Sequence, residues 1–158
     1  MTTIILASNN KDKVKEVKEI LKGYNVISLK DAGINLDVEE NGTTFEENAL
    51  IKARAVCKLT GQLTMADDSG LEIDYLNKEP GVYSARYMGH DTSYDKRGTM
   101  EGLISKEIVG DNGFGYDPIV YLPEYGKTSA QLDPEEKNKI SHRGKALELI
   151  KKELDECL

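Results

Sequence analysis

The sequence predicts an α/β protein, and three observations carry that prediction. The apolar run Thr2-Thr3-Ile4-Ile5-Leu6-Ala7 has the content of a buried strand and passes through polar Ser8-Asn9-Asn10 into Lys11–Leu21, where Val14, Val17 and Leu21 recur at helical spacing. A second short strand, Tyr24–Leu29, follows at once, so strand and helix alternate. Apolar stripes of helical period return in Phe45–Leu59 and in Ala146, Leu147, Ile150 and Leu154.

The first helix has Asn10 as its expected N-cap and Gly23 as its expected C-cap. A strand, loop and helix in this order aims backbone amides and a positive dipole end at whatever lies over the junction, which suits a phosphate. Lys11 and Lys13 carry the wrong sign for that dipole, and an anion between them removes the penalty. Extension into water is the other reading; it is preferred for Lys11, and phosphate for Lys13.

Glu39-Glu40-Asn41-Gly42 is an acidic turn, and Thr44-Phe45-Glu46-Glu47 has capping-box spacing. Glu47 is therefore read as a cap, whereas Glu40 has no such structural duty. In the helix from Phe45 to about Leu59 the expected core face is Phe45, Ala49, Leu50, Ala53, Val56 and Cys57, with Asn48 and Lys52 together along its edge. A lysine on that margin can serve a neighbouring cleft as well as water.

Thr64–Asp74 places Asp67 and Asp68 between two alternating runs, with Ser69-Gly70 marking a reversal, and so reads as a hairpin. Side chains on a strand alternate faces, so one aspartate is expected to work and the other to support it. A metal-bound carboxylate at a strand end and an Asp-Asp-Ser-Gly turn bonded to local amides both fit this stretch. Beyond Asn77–Tyr87, the polar segment Met88–Thr99 is an irregular connection, and Gly102–Ile108 and Ile119–Leu122 read as strands. Between these, Gly113-Phe114-Gly115-Tyr116-Asp117-Pro118 flanks a ring with glycines, which lets a flat ligand approach the backbone; a core plug is the blander reading of Phe114. Asp133–Lys139 opens a short helix, Ser141 caps the next, and His142-Arg143 lie in its first turn.

A chain of 158 residues fits one domain, residues 1–158, able to form a core without staples. The formal charge of -7 argues against a nucleic-acid partner, which needs a basic stripe. No apolar run is long enough to span a bilayer and the N-terminus lacks a signal-peptide pattern, so the expected location is the cytoplasm, with no membrane partner. Cys57 and Cys157 have no framework spacing.

Together, strand-end acids, lysines near helix starts, a glycine-flanked Phe and a His-Arg pair are the parts of a site for a nucleoside triphosphate and Mg²⁺, which takes one or two carboxylates plus phosphate oxygens. The chain resembles the inosine/xanthosine triphosphate pyrophosphatase family in six ordered blocks: Ser8–Lys13, Glu39–Ala49, Ala66–Leu71, Pro80–Tyr87, Gly113–Pro118 and Glu136–Leu147. The resemblance implies a mixed twisted sheet flanked by helices, two lobes around a nucleotide cleft, and Mg²⁺-dependent hydrolysis of ITP, dITP and XTP to the monophosphate and pyrophosphate. It implies Asp68 as the base that activates water and Glu40 with Asp68 as metal ligands. It gives Lys13, Lys52 and Lys137 to the phosphates, and Ser69, Phe114, Asp117, His142 and Arg143 to the nucleoside. Ser8, Asn10, Gly115 and Tyr116 lie within the same blocks and complete the expected substrate contacts.

Between Arg86 and Gly113 the chain is much shorter than the family pattern, so the second lobe, around residues 82–112, is expected to be reduced. The family's homodimer is thereby put in doubt, and a catalytically weak purine-nucleotide-binding protein becomes the alternative function.

Overall fold

Ile4, Ile5 and Leu6 are almost completely buried, and they lie on the strand that the first sheet is built around, β1 (Thr3–Leu6). The computed structural model describes residues 1–84 and 98–157. Through α1 (Lys11–Ile20) the chain reaches β2 (Asn25–Ser28), which pairs with β1 in parallel, Thr3 opposite Asn25. α2 (Phe45–Thr60) leads to β3 (Thr64–Met65), parallel to β1 on its other side, which gives the order β2-β1-β3. Parallel neighbours need such long crossovers, and a strand with a neighbour on each side suits a continuous apolar run.

β4 (Glu72–Ile73) and β5 (Glu79–Pro80) form a separate antiparallel pair. β6 (Leu103–Ile104), β7 (Val120–Leu122) and β8 (Lys127–Thr128) form an antiparallel sheet in that order, followed by α3 (Pro134–Ile140) and α4 (His142–Cys157). The α/β class is as the sequence predicts, with parallel and antiparallel pairings in separate sheets. The chain divides into two compact units, Met1–Val14 with Lys22–Asp95, and Lys15–Leu21 with Lys96–Leu158. In the first, Ile5, Ala7, Leu29 and Val56 form a buried cluster with Ile27, Ala32, Ile34, Leu36 and Ala66 packed against it. In the second, Val120, Leu122, Ala130, Leu132 and Leu147 are buried.

Asn10 is the N-cap expected: its Oδ1 accepts from the amides of Asp12 at 2.9 Å and Lys13 at 3.1 Å. Gly23 is not the expected C-cap, since it lacks the positive φ of that position. α2 is capped by Thr44 and ends on Gly61 at φ 65. Its buried side is Phe45, Asn48 and Val56, and Leu50 and Cys57 are exposed. Residues 45, 48, 52 and 56 step by three or four along one face, and positions 50 and 57 lie roughly 100° or more around the helix from it. Apolarity alone had drawn the expected stripe too far round.

Thr64–Asp74 is not a hairpin: β3 belongs to the parallel sheet and β4 to the next one, so the two aspartates lie on the passage between sheets. Of the strand expected over Gly102–Ile108, only Leu103–Ile104 is paired. Ala85, Arg86 and Tyr87, and the connection over Met88–Thr99 as far as Arg97, lie outside the described residues. Among the described residues no helix is long and apolar enough to cross a membrane.

Candidate active site

Where β3 ends, the chain delivers Asp67 and Asp68 to two lysines of the same unit. Lys52, on α2, donates from Nζ to Asp68 Oδ1 at 3.0 Å and to the Asp67 carbonyl at 3.2 Å, and lies 3.5 Å from Glu40 Oε1. Lys13, in the first turn of α1, sits 2.6 Å from Asp67 Oδ2 and donates to the same Asp67 carbonyl at 3.3 Å. Burial pushes the Asp68 carboxyl above its ordinary range; the Lys52 charge and hydrogen bond oppose this, Glu40 adds to it and Lys13 opposes it. The result is a partly buried carboxylate whose proton affinity is raised toward that of a general base.

Glu40 is held indirectly. The Asn48 side chain, 2% exposed, accepts from the Gly42 amide at 2.8 Å, and a Cβ on Gly42 would stand 2.7 Å from Asn48 Oδ1. The close approach fixes the Glu40-Asn41-Gly42 turn against α2. Glu47 has the capping role expected, with its Oε2 accepting from the Thr43 amide at 2.6 Å, and that bond lowers its pKa first among its causes. Ser69 Oγ donates to Asp67 Oδ2 at 3.4 Å. Ser8 Oγ accepts from the Asn10 amide at 3.1 Å, so Ser8 and Asn10 both serve the start of α1. Asn10 takes two of the amides that the sequence offered to a phosphate there.

The second unit carries a different group. Asp117 is buried and receives three donors: the Phe114 amide at 2.8 Å and Lys137 Nζ at 2.6 Å on Oδ2, and Ser129 Oγ at 3.0 Å on Oδ1. Lys137 Nζ also donates to Glu16 Oε1 at 2.8 Å, and Arg143 Nη1 donates to Glu16 Oε2 at 2.6 Å. Two buried cations and two carboxylates thus balance. Both cations face the Phe114 ring, Lys137 Nζ at 5.0 Å and Arg143 Cζ at 5.3 Å from its centroid. Gly113, at φ 77, has no room for a Cβ against Asp117 Oδ2 and Lys137 Nζ, so the turn carrying Phe114 is specified by backbone and charge together. Gly115 is also at positive φ, Tyr116 is exposed, and His142 opens α4, whose start is capped by Ser141 Oγ accepting from the Gly144 amide at 3.0 Å.

Residues 4–97 and 94–153 match the Ham1 family. The chain belongs to that family. A dITP/XTP pyrophosphatase of Clostridium perfringens is 43% identical, with 98% of each chain covered, and one of Desulforamulus reducens is 44% identical over 91% of each. The solved structure of a HAM1 protein from Coxiella burnetii has a TM-score of 0.84 at 39% identity, covering 99% of this chain and 100% of its own. The Ham1 protein of Staphylococcus aureus has a TM-score of 0.81 at 39% identity, covering 98% and 99%. The resemblance read from the six blocks is borne out. The alignment with the Clostridium protein runs over 199 residues, more than the 158 of this chain, so part of that relative has no counterpart here. The family match breaks at residues 94–97, within the interval where the sequence looked short.

Three residues in this Ham1 chain escaped sequence reasoning. Asp67, expected only to support its neighbour, is the counter-charge of Lys13. Glu16, between Lys15 and Val17 on an otherwise charged helix, looks solvated but takes both Lys137 and Arg143. Asn48 was placed at the edge of α2 and is among its most buried side chains. The available signal for Glu16 was its position one residue from the apolar Val17, on the helix side that is buried.

Proposed function

We propose that the chain hydrolyses non-standard purine nucleoside triphosphates, ITP, dITP and XTP, to the monophosphate and pyrophosphate. Membership of the Ham1 family and the dITP/XTP pyrophosphatase relatives support the reaction class. The observation that carries the mechanism is the strand-end group of Asp68, Lys52 and Glu40, in which a carboxylate with raised proton affinity is held by an ammonium.

Asp68 takes a proton from the attacking water, which adds in line and expels pyrophosphate, with no covalent intermediate required. Lys13 and Lys52 are assigned to the developing phosphate charge. Glu40 and Asp68 are the assigned ligands of Mg²⁺. Glu40 and Asp68 would hold it, since two oxygen donors that already converge on one cation, the Lys52 ammonium, suit a hard divalent ion. When bound, that ion supplies charge neutralisation at the phosphates.

In the second unit, Phe114, Asp117, His142 and Arg143 are assigned to the nucleoside, together with Gly115 and Tyr116 of the same turn. Ser69 is assigned as a further nucleoside contact. Lys137, committed to Glu16 and Asp117, is assigned to holding that face as well as to neutralising phosphate charge. Donors facing O6 accept hypoxanthine, xanthine or guanine, whereas adenine presents a donor there and leaves buried donors unpaired.

The test is pyrophosphate release from ITP with Mg²⁺, native chain against Asp68→Asn; equal turnover in the two overturns the assignment of Asp68. A second reading, nucleotide binding with weak turnover, is favoured by the missing part of the relatives. Tight ITP binding without pyrophosphate release selects it.

A further inference from the structure

Lys13 leaves the first turn of α1, where the helix dipole disfavours a cation. Its ammonium meets Asp67 twice, at the carboxylate Oδ2 at 2.6 Å and at the main-chain carbonyl at 3.3 Å. That carbonyl is also an acceptor for Lys52 Nζ, at 3.2 Å, so two like charges converge on one oxygen. Both lysine side chains are mostly buried, 15% and 13% exposed, where water does little to screen their repulsion. Lys52 has its counter-charge in Asp68 and Glu40; Lys13 has its own in Asp67.

We propose that Asp67 is a positioning residue of the reaction, which fixes the Lys13 ammonium in place for the triphosphate and is not merely a turn former between two sheets. The inference rests on the reading of phosphate as the ligand of Lys13. An unpaired lysine stem samples many rotamers, and immobilising it at the moment of binding weakens affinity. Asp67 removes that cost beforehand by engaging the ammonium from two directions, and the third N–H is the one given to a phosphate oxygen. Its carboxylate also lets Lys13 and Lys52 approach a shared carbonyl.

The test is a double-mutant cycle on binding of an inosine triphosphate analogue with an imido bridge between the α- and β-phosphates, measured calorimetrically with Mg²⁺, beside pyrophosphate release from ITP. Asp67→Asn is expected to weaken binding roughly tenfold, and Lys13→Met at least as much, with the double variant no weaker than Lys13→Met alone. In turnover, KM should rise in Asp67→Asn by more than kcat falls. Additive losses would show that Asp67 acts independently of Lys13, and tighter binding in Asp67→Asn would show that it competes with the phosphate; either result overturns the proposal. So does a kcat loss like that of Asp68→Asn. Should Asp67→Asn not fold, Asp67→Ser carries the same cycle, since serine suits the turn. If the native chain binds the analogue but releases no pyrophosphate, the hydrolase reading fails while the binding cycle still decides the role of Asp67.

Discussion

Lys52 Nζ donates to Asp68 Oδ1 at 3.0 Å while lying 3.5 Å from Glu40 Oε1, so one ammonium compensates two carboxylates. Burial raises the Asp68 pKa and Lys52 is the leading force against that rise. Lys52→Met should therefore push the Asp68 carboxyl higher still. A base must be ionised to work, so the acid limb of the pH–kcat profile moves to higher pH, and the neutral-pH rate falls by about 10- to 100-fold. Initial rates of pyrophosphate release across the pH range check this; an acid limb that stays in place speaks against Lys52 as the partner of Asp68.

The same shift has a consequence for stability. The folded pKa of Asp68 lies above its ordinary value, so protonation is favoured by folding. Its contribution is present below the unfolded pKa and is lost as pH rises through the folded one. At neutral pH the ionised Asp68 is a net cost, which Asp68→Asn removes. That variant should melt higher than the native chain at pH 7, with the gap closing in acid. Each kcal/mol is worth about 2–4 °C in a protein of this size, which thermal scans at several pH values resolve.

These two predictions concern residues that the sequence made legible, by chemistry and by resemblance together. Glu40 has no duty in a local turn or stripe, whereas Lys13, Lys52 and Asp68 also suit water or a turn, and the six blocks that resemble the family are what single them out. The counter-charges Asp67 and Glu16 do not stand out in this way. Asp67 looks like an Asx-turn former and Glu16 like one more charge on a lysine-rich helix, because the partner that gives each its role lies far off in sequence: Asp67 pairs with Lys13, and Glu16 with Lys137 and Arg143. Period and composition register which face of a segment is apolar, not which distant cation a carboxylate will meet. The fold shows the same division. β1, β2, α1, α2 and α4 follow from local pattern, whereas the separation of β3 from β4 into different sheets depends on pairing with β1 and β5. Alternation between Thr64 and Asp74 is compatible with either arrangement.

Asn48 links the core of α2 to the Glu40 turn. Its Oδ1 accepts from the Gly42 amide at 2.8 Å and it is 2% exposed. Asn48→Ala removes that acceptor and leaves a space, at a cost of about 1–3 kcal/mol. Because the turn carries Glu40, the Mg²⁺ concentration giving half-maximal activity should rise as well. Urea unfolding reads the first effect and a Mg²⁺ titration of pyrophosphate release the second. Loss of stability with an unchanged Mg²⁺ requirement would confine Asn48 to packing.

Glu16 receives Lys137 on one oxygen and Arg143 on the other, and both cations face Phe114. Glu16→Gln leaves two buried cations with only the Asp117 carboxylate among these contacts to balance them. Breaking a buried pair from one side costs about 3–5 kcal/mol, chiefly because the surviving charge is stranded. The variant should unfold at clearly lower urea, with KM for ITP raised because the turn bearing Phe114 loses its charged support. Arg143→Met added to Glu16→Gln takes away one of the two buried cations, so the double variant should be more stable than Glu16→Gln alone. Losses that simply add would mean that Glu16 and Arg143 contribute separately, and that their 2.6 Å contact carries little of the stability of this unit.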